Sequence, residues 1–135
     1  EADLPATVED AAGRYDRLMH QVALSPALGA VWDIVDRANR YLVEREPWAV
    51  ARDDGRRDEL ASVLYAAAEV LRVLAVLGWP VMPGAATRLW AQLGIDATPG
   101  EQRLPQAARW GGLAPGTRIR RGSPLFPRLE DGSIQ

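Results

Sequence analysis

The residues best placed to do chemistry are Pro47 and Trp48. A helix-periodic run ending Ala38-Asn39-Arg40-Tyr41-Leu42-Val43-Glu44-Arg45-Glu46 meets Pro47, and proline disfavours a helical residue before it. Trp48 therefore falls just past a helix end. An indole there either plugs the end of a bundle or offers its flat face to a ligand. Single-stranded RNA is held by stacking splayed bases on such faces. Arg52, Arg56 and Arg57 follow closely and could touch phosphates beside a stacked base. Asp53, Asp54, Asp58 and Glu59 lie among them, a mixture that equally suits a solvated helix start.

Catalytic chemistry finds little support. The one histidine, His20, sits on a predicted helix without convergent partners. Ser25, Ser62, Ser123 and Ser133 lack a nucleophile-elbow setting. Asp53-Asp54 beside Gly55 reads as a turn, not a carboxylate dyad. No glycine-rich loop follows a strand. With no cysteine, a disulfide framework and a cysteine-based metal site are excluded. The sequence thus offers no catalytic residue and no metal site, and it needs no cofactor of its own.

Composition sets further bounds. The 135 residues suit one domain, with 47% hydrophobic residues for a core and 25% charged residues. Net charge is −2, so nucleic-acid contact would rest on local stacking more than on a basic field. All 16 basic residues are arginine, and they are scattered, which fits a genomic compositional bias. No window reads as a membrane span, and Glu-Ala-Asp-Leu at the start is neither a signal nor a transit peptide. The chain reads as part of a longer soluble protein, or as a processed one.

Periodicity predicts the elements that position Trp48. Helix one is expected over 8–24, capped by Thr7. Helix two restarts at Ser25-Pro26, with Leu28, Val31, Val35, Ala38 and Leu42 inward and Trp32 packed near them. A connector spans 48–57, with room for one helical turn before Asp53-Asp54-Gly55. Helix three is expected over 56–77, with Leu60, Leu64, Ala67, Leu71, Leu74 and Leu77 inward and Gly78 as C-cap. A stiff Trp79-Pro80-Val81-Met82-Pro83 turn leads to a short helix over 85–93, with Leu89, Trp90 and Leu93 inward, ended by Gly94. Trp79 and Trp90 should share a minor core, and Trp110 should dock on the bundle. Residues 115–122 carry a weak hairpin signal, 123–130 read as extended, and 131–135 as a loose end. The expected fold is all-α, an antiparallel helical bundle over 1–95 with an irregular C-terminal arm over 96–135.

The order Asn39-Arg40-Tyr41, Glu46-Pro47-Trp48, Pro80-Val81-Met82-Pro83 and Leu125-Phe126-Pro127-Arg128 resembles the C-terminal anticodon-binding domain of bacterial methionyl-tRNA synthetases. The likeness covers roughly residues 15–130. It implies that Trp48 stacks with the methionine anticodon and that Asn39 is a supporting residue, bonding nearby backbone to orient a loop. It implies tRNA(Met) and the chain's own catalytic domain as partners, and a cytoplasmic setting. ATP, and in some members zinc, would belong to the absent catalytic part. The family's Gly-Asn-Leu-x-x-Arg motif lies on a preceding helix not found here, so the first family helix is missing and an interrupted bundle should expose apolar surface. The arm should return towards the absent catalytic domain, anchored by Leu125 and Phe126. No homodimer is expected from this chain. Alternatives are the equivalent domain of a cysteine, leucine, isoleucine or valine synthetase, and a helical scaffold that binds no RNA.

Overall fold

The structure, a computed structural model, describes residues 3–129. The expected loose end at 131–135 lies outside the described residues. Helix α1 (Asp3–His20) pairs with α2 (Leu24–Arg45); a single turn, α3 (Pro47–Val50), leads to the central α4 (Arg57–Gly78), and α5 (Pro83–Gln92) closes the helical part. Among the described residues there is no strand, so the weak hairpin signal at 115–122 gives way to irregular backbone.

The first reversal is sharper than periodicity suggests. Helix α1 stops at His20. Ala23 N donates to Leu18 O at 2.9 Å and Val22 N to Met19 O at 3.0 Å, with Val22 at φ 56°. This is a Schellman closure in which a β-branched residue takes the left-handed position. Neither expected cap is used. Thr7 lies inside α1 and donates to Asp3 Oδ1 at 3.4 Å, while Ala23, not Ser25, precedes α2. Gly78 likewise belongs to α4, and Trp79 follows in a right-handed conformation. Gly94 does end α5, with φ 81° and Ile95 N returning to Trp90 O at 3.0 Å.

Two cores result. One gathers Val8 and Tyr15 of α1, Ala30 and Ile34 of α2, and Val70 and Leu77 of α4. The other joins Val76 of α4 and Trp90 of α5 to Leu93 and to Leu113 of the arm. Trp79 packs on this second core and Trp110 on the first, as expected. The inward stripes match those predicted only in part: Leu77 is in the core, and Val31, Ala38, Leu42 and Leu74 pack against it, but the most deeply buried positions are mostly others. Helix α2 buries Ala27, Ala30, Ile34 and Tyr41, each about 100° round the helix from the larger aliphatics. Helix α4 buries Val63, Val70, Val73 and Leu77, leaving Leu64 and Leu71 exposed. Small residues on α2 let α1 approach closely, so the larger side chains mark a second, open face. Trp32 sits on that face at 64% exposure, not in the core.

By length and composition α4 is apolar enough to cross a membrane, which corrects the reading that no window qualifies. Its apolarity serves burial between α2 and α5 instead. At its centre lies a charge. Glu69 is 0% exposed and accepts Arg72 Nε at 3.0 Å, Arg72 Nη2 at 2.7 Å, and the backbone N–H groups of Gly111, Gly112 and Leu113, each at 2.9 Å. Arg72 also donates to Ala107 O at 2.6 Å and Arg109 O at 2.8 Å. Tyr65 Oη donates to Leu113 O at 2.7 Å. The arm is thereby fastened to α4.

Farther along, Arg120 N donates to Gln92 O at 2.6 Å and Gln92 Nε2 to Ser123 O at 3.0 Å, laying the arm beside the end of α5. Of its expected anchors, Leu125 is half-buried, but Phe126 is 68% exposed. The bundle leaves that ring uncovered because no element of residues 3–129 lies over the face it meets.

Glu69→Ala should therefore destabilise residues 1–135 by about 3–5 kcal/mol, because Arg72 and three N–H groups lose their acceptor in the interior. Urea unfolding followed by far-ultraviolet circular dichroism measures this. A change below about 1 kcal/mol would show that the buried pair is dispensable.

Candidate nucleic-acid interface

The α2–α3 junction contains no free linker. Glu46 N donates to Leu42 O at 2.9 Å and closes α2, while Glu46 O accepts from Ala49 N at 2.9 Å and Val50 N at 3.1 Å and opens α3. Glu46 itself is left-handed, at φ 47° and ψ 60°. Pro47 takes the first helical position, where its missing N–H costs nothing. The expected connector thus begins with a helical turn.

That turn fixes where Trp48 points. Val50 is 2% exposed and seats α3 on α4. Trp48 stands two residues earlier, about 200° away round a helix, so burying Val50 turns the indole outward. Trp48 is 54% exposed. Val50 is thus the buried residue of this turn, and Trp48 the exposed one. Below it, the Arg45 guanidinium lies 5.7 Å from the centroid of the Tyr41 ring, a cation–π contact at the last turn of α2.

The other predicted residues divide. Asn39 is exposed on α2 and makes no side-chain hydrogen bond among the described residues, so the expected bond to nearby backbone is not formed. Arg52 and Arg57 are exposed on either side of the short turn Asp54–Arg56, which Asp53 caps by accepting Gly55 N at 3.0 Å. Arg56 is engaged with Glu59 through two hydrogen bonds, at 2.8 and 2.7 Å. That bond raises the Arg56 pKa and lowers that of Glu59. Arg52 and Arg57 are thus better placed than Arg56 to meet a phosphate.

The arrangement offers a stacking surface with nearby guanidinium groups. It has no convergent acid–base pair, and no cluster of three histidines or carboxylates suited to a metal exists among the described residues. Sequence reasoning passed over Glu46 and Val50. The run Glu-Pro-Trp gave a hint of the first, since a proline restrains the residue before it.

A family model described as the anticodon-binding domain of methionyl tRNA ligase matches residues 1–135. The chain belongs to this family. Methionine–tRNA ligase of Streptomyces coelicolor is 45% identical over 107 residues, covering 76% of this chain and 20% of that protein. The ligase of Oceanobacillus iheyensis is 37% identical over 136 residues, covering 96% of this chain and 19% of that protein. Apo methionyl-tRNA synthetase of Mycobacterium tuberculosis superposes with a TM-score of 0.82 at 30% identity, over 96% of this chain and 26% of that one. The same enzyme in complex with methionyl-adenylate gives a TM-score of 0.81 at 29% identity, over 94% of this chain and 25% of that one. The anticodon-binding domain thus spans about a fifth of the length of the curated relatives it matches.

If Trp48 is presented and Val50 is structural, their truncations separate cleanly. Trp48→Ala should change the unfolding free energy of the domain by less than about 0.5 kcal/mol. Val50→Ala should cost about 2 kcal/mol for its two lost buried carbons. Urea titration of both variants checks this, and a large loss for Trp48→Ala would mean that the indole holds the fold together.

Proposed function

We propose that residues 1–135 select tRNA within a methionyl-tRNA synthetase, with the Trp48 ring receiving an unstacked anticodon base. The observation that carries this is the outward indole, clamped between a left-handed Glu46 and a buried Val50 in a chain of this family. Arg52 and Arg57 stand near enough in sequence to meet the adjoining phosphates, and Asn39, exposed one helix turn or two before Trp48, is free to meet the RNA itself. The whole enzyme would ligate methionine to tRNA(Met) in the cytoplasm during translation. ATP, and zinc where a family member carries its zinc knuckle, would act in the catalytic part, to which the arm over 96–135 would return.

The open face fits a missing reader helix. Leu60, Leu64, Leu71 and Leu74 fall along one side of α4 over about 20 Å at 1.5 Å per residue, and Leu71 and Leu74 meet Val31, Trp32 and Val35 of α2 at an open apolar face. Part of this face is an apolar groove of about 300 Å³, which Met82, Leu125 and Phe126 help to line. A helix of the parent chain bearing the Gly-Asn-Leu-x-x-Arg motif would cover it and bring hydrogen-bonding side chains towards Trp48.

In the full-length enzyme, Trp48→Ala should lower aminoacylation kcat/KM about 5- to 150-fold, the worth of ~1–3 kcal/mol of stacking. Methionine-dependent ATP–pyrophosphate exchange should persist. Equal loss of both activities would refute the assignment. Hydroxyl-radical footprinting of the same protein should label Trp48 strongly and Trp32 and Leu71 weakly. Labelling of Trp32 as strong as that of Trp48 would show that no helix covers the groove.

A further inference from the structure

We propose that Glu46 is a positioning residue for tRNA reading, and that it acts through its backbone conformation and not through its charge. The inference rests on the reading of Trp48 as the stacking platform. Glu46 joins α2 to α3 without a spacer, because its N–H closes one helix and its carbonyl opens the next. Its φ of 47° lies where a side chain is disfavoured and where glycine is the usual occupant. The next residue, Pro47, has its own φ fixed by its ring. Two successive stiff residues therefore precede the indole, and Val50, sealed against α4, follows it. Trp48 is held from both sides. A ring ordered in advance loses less freedom when a base stacks on it.

Glycine at position 46 fits the same φ without crowding, yet it opens other conformations to the joint. Relief of the left-handed residue and added freedom of the unfolded chain oppose each other in stability. Glu46→Gly should thus keep the fold while loosening the platform. If the reading orientation falls to about one third of the population, the apparent affinity for tRNA falls about threefold.

The test uses the full-length synthetase with Glu46→Gly, Glu46→Gln and Trp48→Ala. Glu46→Gly should raise KM for tRNA by about threefold or more, with kcat at saturating tRNA within about twofold and the melting temperature within a few degrees. The order parameter of the Trp48 indole N–H, from nuclear magnetic resonance relaxation, should fall in the same variant. Glu46→Gln keeps a stiff residue and removes the charge, so its KM should match that of the unaltered enzyme. An unchanged KM in Glu46→Gly overturns the proposal, and so does an equal rise in Glu46→Gln, which would assign the effect to the carboxylate. If Trp48→Ala raises KM while Glu46→Gly does not, only the positioning role fails. If Trp48→Ala is itself silent, the stacking reading fails with it.

Discussion

The Glu69 carboxylate organises this domain. A fully buried charge is tolerated only when its partners are complete. Here the partners come from two places: the guanidinium of Arg72 one turn along α4, and two successive glycine N–H groups and a leucine N–H from the arm. Arg72 is satisfied in turn by two arm carbonyls, and its own carbonyl accepts the Trp90 indole N–H at 3.1 Å. The ion pair thus joins α4 to residues 107–113, and the Arg72 backbone carbonyl ties α5 to the same turn of α4. Gly112 is required by it, because a Cβ there would collide with the Arg72 guanidinium. A nest of consecutive backbone N–H groups is a ready acceptor of negative charge; here the occupant is the protein's own side chain.

Fixing α4 has consequences at the other end of the molecule. Val50 docks on α4, and Val50 determines the direction of Trp48. The order of dependence therefore runs from a buried carboxylate, through a rigid central helix, to an exposed ring. Tyr15 contributes at the opposite end by donating to Leu77 O at 2.7 Å, and its own burial raises the pKa of its hydroxyl. Ion pairs of Arg14 with Asp33 and of the largely buried Arg37 with Asp3 align α1 with α2; the first is exposed and contributes little to stability.

Much of this was legible in the sequence, and what was not has physical reasons. Pro47 showed where α2 ends, while the residues alone left its neighbour Trp48 open between a buried plug and an exposed face. Gly94, Trp79, Trp90 and Trp110 also fell where their contexts indicated. The inward stripes did so only in part, because α2 and α4 each carry two adjacent apolar faces. Periodicity finds the larger side chains of Leu28, Val31 and Leu71, whereas the close approach of α1 selects Ala27 and Ala30. Trp32 was misplaced for the same reason. Glu69 and Arg72, at a spacing of three, look like any solvated helix pair. Their burial depends on an arm more than thirty residues away, which local pattern cannot report. Pro47 hinted that Glu46 leaves the helical region but not that it is left-handed, since most residues before proline are extended.

The division between stacking and base identity follows from the same chemistry. Every nucleobase has a π face, so an indole platform separates unstacked from stacked bases more readily than it separates one base from another. A net charge of −2 with dispersed arginines adds no strong attraction for phosphate. On the proposed reading, residues 1–135 would sense the shape of a splayed loop. The choice of methionine anticodon would then fall to hydrogen-bond donors and acceptors brought alongside the ring. Whatever element supplied those groups, its specificity would depend on how firmly Trp48 holds the base in place.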